Sequence, residues 1–125
     1  MHLTVARHKD GESGLLTVLI DDITFLEYER MANRIVVHTL TDTFYMMGTL
    51  KFWVTALQNS GYEFVMVDRN NAANLNRIVR LDKQYKIAYF ESSLTKDSKG
   101  CTVAWSSYNQ LVKKLQTMGI QVTIT

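Results

Sequence analysis

Asp68-Arg69-Asn70-Asn71-Ala72-Ala73-Asn74-Leu75-Asn76-Arg77 packs four asparagines and two arginines into ten residues, a concentration found nowhere else in the chain. It lies between two runs that read as strands, Phe64-Val65-Met66-Val67 and Ile78-Val79-Arg80-Leu81. Asparagine tolerates left-handed backbone and caps turns, so residue type reads Asp68 to Asn74 as a polar loop. That structural role accounts for Asn70, Asn71 and Asn74 taken singly as readily as a binding role does. Arginine is harder to explain in this way. Arginine and asparagine are also the side chains whose paired donors and acceptors match guanine and adenine edges in the major groove of DNA.

Working outward from this segment, strands dominate. Leu15 to Ile20 is apolar and partly β-branched, and Ile23 to Tyr28 alternates as a half-buried strand does. Arg34 to Thr39 and Thr43 to Met47 follow, joined by Leu40-Thr41-Asp42, and the group reads as an antiparallel meander. The period changes at Thr49, which caps a helix over Leu50 to Ser60 with Leu50, Trp53, Val54 and Leu57 on one face and Gly61 as the stop. Downstream, Lys86 to Phe90 and Cys101 to Ala104 read as strands, and Ser92 to Gly100 as a polar loop. A Ser106 or Ser107 cap opens a second helix carrying Tyr108, Leu111, Val112, Leu115 and Met118, closed by Gly119, and Gln121 to Thr125 can add an edge strand. Strands without regular β-α alternation predict a β-dominated α+β fold.

Composition bounds the function. The 125 residues, 46% apolar and without proline, Gly/Ser-rich linker or repeat, suit one domain over residues 1–125. No apolar run reaches a membrane span, and the first residues lack a signal-peptide centre. Cys101 stands alone, so it forms neither an internal disulfide nor a zinc site, and a reducing cytoplasm is the expected setting. Net charge is only +2, but it is unevenly spread: residues 1–62 carry 5 basic and 7 acidic groups, residues 63–125 carry 9 and 5. The second half is the one suited to phosphate.

Catalytic signatures are missing. His2, His8 and His38 are scattered, and no phosphate loop, metalloprotease helix or nucleophile elbow occurs. Asp21-Asp22 reads as a strand end or turn, while Glu27 and Glu29 share the solvated face of one strand. The expectation is a protein that is not an enzyme and needs no cofactor.

With these residues in view, the chain resembles the LytTR-type DNA-binding domain of bacterial transcription regulators over about residues 18–116. The resemblance is carried by an ordered series: Ile23 to Tyr28, Arg34 to Thr39, Gly48-Thr49-Leu50 with Leu57, then Phe64, Arg69-Asn70, Ala73-Asn74-Leu75 and Ile78, and finally Lys86 to Phe90 and Tyr108/Leu111/Leu115. It leaves residues 1–17 as an N-terminal extension. It implies elongated small antiparallel β-sheets with two short helices, and loops in place of a recognition helix in the major groove of double-stranded DNA. By position it implies base contacts from Asn33 and Arg69, with Asn70 and Asn74 beside them and Ser106 and Ser107 on phosphates; Arg77, which adjoins the Arg69 segment, is the basic residue expected to add a phosphate contact.

The chain departs from the family where Ser106-Ser107 replaces the usual basic residues, and Met66 and Asp68 also stand at positions commonly basic or histidine. The short stretch before the matched region implies a stand-alone regulator controlled by abundance, self-association or a regulatory protein partner. Family habit adds a homodimer on repeated half-sites. The competing expectation is a protein-interaction module, or an antagonist of a related regulator, that kept the fold and lost DNA binding.

Overall fold

The structure is a computed structural model describing residues 1–125. Eleven strands and two α-helices follow in the order β1 (His2–Ala6), β2 (Leu15–Leu19), β3 (Phe25–Glu29), β4 (Arg34–His38), β5 (Thr43–Met46), α1 (Leu50–Asn59), β6 (Phe64–Asp68), β7 (Asn71–Asn74), β8 (Arg80–Asp82), β9 (Ile87–Tyr89), β10 (Gly100–Thr102), α2 (Tyr108–Thr117) and β11 (Thr123–Ile124). Short 3-10 turns occupy Ile20–Asp22, Leu75–Arg77 and Trp105–Ser107. The β-dominated α+β class with two short helices is as the sequence reads.

The strands collect into a seven-stranded sheet, β2-β1-β5-β4-β3-β7-β6, and a four-stranded sheet, β10-β9-β8-β11. All pairings are antiparallel except β11 with β8, where the tail strand runs parallel. The meander expected of β2 to β5 holds only from β3 to β5. β2 lies at the far edge, because His2–Ala6, read from sequence as part of an extension, is a strand inserted between β2 and β5.

Two hydrophobic cores lie on opposite faces of the large sheet. Val5, Val18, Leu26, Ile35, Val37, Phe44 and Phe64 pack with Leu50, Val54 and Leu57 of α1. On the other face Phe25, Val67 and Ala73 pack with Leu81, Ala88, Cys101 and Val103 of the small sheet and with Tyr108, Leu111 and Leu115 of α2. Alternation along one strand feeds both: Leu26 enters the first core and Phe25 the second. Each fully buried leucine contributes about 1.5–3 kcal/mol.

β7 corrects the sequence reading of Asp68 to Asn74 as a loop. Only Arg69 and Asn70 form the turn, and all four residues Asn71–Asn74 are buried strand. Asn and Ala are poor strand formers, but here tertiary position overrides propensity. Ala72 faces the α1 core and Ala73 the α2 core, each with no exposed surface, so small side chains let both layers close on the strand between them. The flanking amides are consumed inside: Asn71 Nδ2 donates to Thr102 O at 3.1 Å, and Asn74 Nδ2 to Ile23 O at 2.9 Å.

The α1 cap is as read, with Thr49 Oγ1 accepting the Phe52 N–H at 3.0 Å. Gly48 before it has φ +120°, and a Cβ there would lie 2.6 Å from Trp53 Nε1. The expected serine cap of α2 is absent. Trp105–Ser107 already forms a helical turn that runs into α2, and Ser107 makes no side-chain capping bond.

Candidate nucleic-acid interface

Three turns and one 3-10 segment converge at one end of the molecule, tied together by main-chain bonds. The β3–β4 turn, Arg30 to Asn33, meets the β6–β7 turn, Arg69-Asn70, because Tyr28 N–H donates to Asn70 O at 2.8 Å. The β6–β7 hairpin in turn holds the approach to α2, through Asn71 Nδ2 on Thr102 O and the Ala104 N–H on Val67 O at 2.7 Å. The β8–β9 turn joins the group where Val103 N–H donates to Lys86 O at 2.8 Å.

Asn33 is exposed in left-handed backbone, φ +50°, which asparagine accepts at less cost than most residues. Tyr28 Oη donates to its Oδ1 at 2.5 Å, which fixes the side chain and leaves its amide NH₂ facing solvent without a protein partner. Arg69 is exposed, forms no ion pair and donates no side-chain hydrogen bond. Behind it Asp68 Oδ1 accepts the Asn70 N–H at 3.2 Å, tightening the turn. Asn70 is half-buried, with its carbonyl committed to Tyr28. Ser106 is exposed and Ser107 half-buried at the head of α2.

Two of the sequence-derived candidates do not join this surface. Asn74 is 4% exposed and its amide is spent on Ile23, so it is a framework residue and not a contact. Arg77 follows β7 at the opposite end of the sheet, where Nη1 donates to Asp21 O at 3.3 Å. A β-strand separates its two ends by about 3.3 Å per residue, so Arg77 cannot share one contact patch with the Arg69 turn.

Other residues of this end were missed. Arg30 and Met31 project from the same turn as Asn33, and Met31 is fully exposed. Trp105, 73% exposed, precedes Ser106 directly. Lys86 Nζ stands 4.4 Å from its ring centroid and 4.6 Å from that of Tyr108, a cation-π clamp joining the β8–β9 turn to α2. The signal for Arg30 was its place in the Asn33 turn; for Trp105 no local pattern distinguishes an exposed tryptophan from a core one.

Other charges are engaged within the fold. Glu29 pairs with Arg34 at 2.8 Å and Glu27 with His38 at 2.9 Å across the β3–β4 ladder; both carboxylates lie on the Phe25 face, so the solvated face expected of them is half-buried beside the second core. Lys99 donates to Asp42 O and Thr43 Oγ1, and partial burial lowers its pKa. Arg80 donates to Ser92 O at 2.8 Å. No group of three or more His, Cys, Asp or Glu is arranged to hold a metal. A wide-open groove of about 470 Å³ lies at the Arg77 end between His2, Asp22, Leu40 and Phe44. No helix is long and apolar enough to cross a membrane.

The family model of the LytTr DNA-binding domain matches residues 13–116. Among solved structures, the LytTr DNA-binding domain of a methyl-accepting/DNA response regulator from Bacillus cereus is similar at 16% identity and a TM-score of 0.68, over 92% of this chain and 95% of that one. No curated protein matches significantly.

Proposed function

The chain belongs to the LytTr DNA-binding domain family, and from that premise we propose that it is a sequence-specific transcription regulator whose Asn33 and Arg69 turns enter the major groove of duplex DNA. The observation that carries the reading is the convergence of these two turns on one edge of the fold, locked by the Tyr28 to Asn70 main-chain bond. A free guanidinium at Arg69 offers the bidentate donor pair that guanine O6 and N7 accept, and the free amide of Asn33 donates to a base acceptor. Asn70 lies beside them. Ser106, Ser107 and backbone N–H groups at the head of α2 supply neutral phosphate contacts, which position without reading sequence. Arg30 and Lys86 add the positive charge that the serines do not.

A second reading, an interaction module without DNA affinity, draws on the same end: Met31 and Trp105 are exposed apolar side chains beside the candidate contacts. One titration separates the two. Labelled genomic duplex fragments are titrated at several salt concentrations with wild type and Arg69→Ala. Binding that weakens with salt and loses about 1–3 kcal/mol on Arg69→Ala supports the DNA reading. A flat response at low salt overturns it.

A further inference from the structure

Strand β2 is the bare edge of the large sheet. Ile20 N–H donates to Met1 O at 3.0 Å, and the β1–β2 register runs without a shift from His2↔Leu19 to Ala6↔Leu15. Hydrogen-bonded and non-bonded pairs alternate along an antiparallel ladder, so Leu16 and Val18 bond to β1. Leu15, Thr17 and Leu19 therefore point their N–H and C=O groups away from the sheet. None of these three has another main-chain partner. Their side chains share one face, on which Leu15 is 75% and Leu19 44% exposed.

Edges are normally guarded by charge, proline, a bulge or a covering segment. Leu15-Leu16-Thr17-Val18-Leu19 has no such guard, whereas the opposite edge, β6, is covered where Ala104 N–H bonds Val67 O.

We propose that β2 pairs with β2 of a second copy, antiparallel, about a two-fold axis through Thr17. This register is dictated by the free groups: Thr17 meets its own mate, and Leu15 meets Leu19 of the second copy, each as a hydrogen-bonded pair on the same exposed face. Every open donor of one edge finds an open acceptor on the other, which is the self-complementarity a two-fold interface requires. A shift by one residue would oppose bonded groups to free ones. Asp21 and Asp22 follow β2, are exposed and form no ion pair, as does Lys9 in the β1–β2 loop. The axis carries that loop of the second copy to Asp21 and Asp22. Asp10 and Glu12 share the loop and Arg7 is paired with Asp42, so charge gives no net attraction and the register rests on the backbone.

This interface is independent of the DNA reading, since its test contains no DNA. The full chain is examined by sedimentation equilibrium over a wide concentration range, alongside amide hydrogen exchange. Wild type should dimerise, and with rising concentration the Leu15, Thr17 and Leu19 amides should slow while Leu16 and Val18 stay protected throughout. Thr17→Pro removes an N–H that the single chain leaves open, so its circular dichroism should be unchanged while dimerisation weakens roughly tenfold or more. Leu19→Lys, on the exposed face, should weaken it too and serves if the proline variant misfolds. A chain that is monomeric at every concentration, or a dimer in which those three amides stay open, overturns the proposal.

Discussion

Asn74 Nδ2 donates to the carbonyl of Ile23 at 2.9 Å, across 51 residues of sequence, in a position where both groups are sealed from water. The bond fixes the end of β7 against the start of β3, and Asn74 N–H on Thr24 O at 2.9 Å doubles it. Replacement by leucine or alanine leaves the Ile23 carbonyl buried and unpaired. Asn74→Ala should therefore cost about 1–3 kcal/mol in urea unfolding. DNA affinity, measured where the variant is folded, should stay within twofold of wild type. A large affinity loss at full folding would return Asn74 to the contact surface.

Asn33 permits a cleaner separation of fold and contact. Its φ of +50° suits glycine, so Asn33→Gly should fold with nearly wild-type stability while losing the amide and the Tyr28 bond. DNA affinity should fall by roughly tenfold or more. Arg77→Ala, at the other end of the sheet, should weaken binding far less than Arg69→Ala at the same salt concentration. Equal losses from the two arginines would contradict the single contact edge.

His38 stacks on Phe25 with ring centroids 4.1 Å apart and planes 13° from parallel, and Nε2 meets Glu27 Oε1 at 2.9 Å. Burial is the largest influence and lowers its pKa from the ordinary 6.5; the Glu27 bond opposes this and Lys99 reinforces it. With the folded value below the unfolded one, the unfolded chain takes up the proton first as pH falls. Stability is thus complete above about pH 6.5 and declines below it. Thermal melts from pH 7.5 to 5 should show that slope, and His38→Gln should flatten it. An unchanged slope in the variant would assign it to another group.

Cys101 has no exposed surface and its thiol pKa is raised, chiefly by burial and further by Asp68 and Glu27. A protonated, enclosed thiol is a poor nucleophile. Native protein should resist a maleimide or disulfide reagent at pH 8, reacting at one thiol only when urea unfolds it. Rapid labelling of the native protein would show the second core opening locally.

The candidate site was legible in part. Asn33, Arg69 and Asn70 could be named because turn chemistry and base-edge chemistry are properties of residue type. Arg77 adjoined them in sequence but not in space, since a buried strand and a 3-10 turn separate it from the Arg69 end. Asn74 looked equivalent to Asn70 until burial distinguished them. Trp105 and Lys86 acquire their relation only through the meeting of the β8–β9 turn with the head of α2.

What the sequence by itself determined is local: the strand and helix periods, the Thr49 cap, the glycine stops, the uneven charge and the β-dominated class. These rest on interactions between residues a few positions apart, which a linear pattern records directly. Only the tertiary structure decided that Asn71–Asn74 is a strand, that His2–Ala6 lies inside the large sheet, and that β2 is left as its open edge. Each depends on partners supplied from afar. Two cores press on Ala72 and Ala73 from opposite sides, Thr102 and Ile23 accept the asparagine amides from 31 and 51 residues away, and β5 receives β1 across the whole β2 to β4 segment.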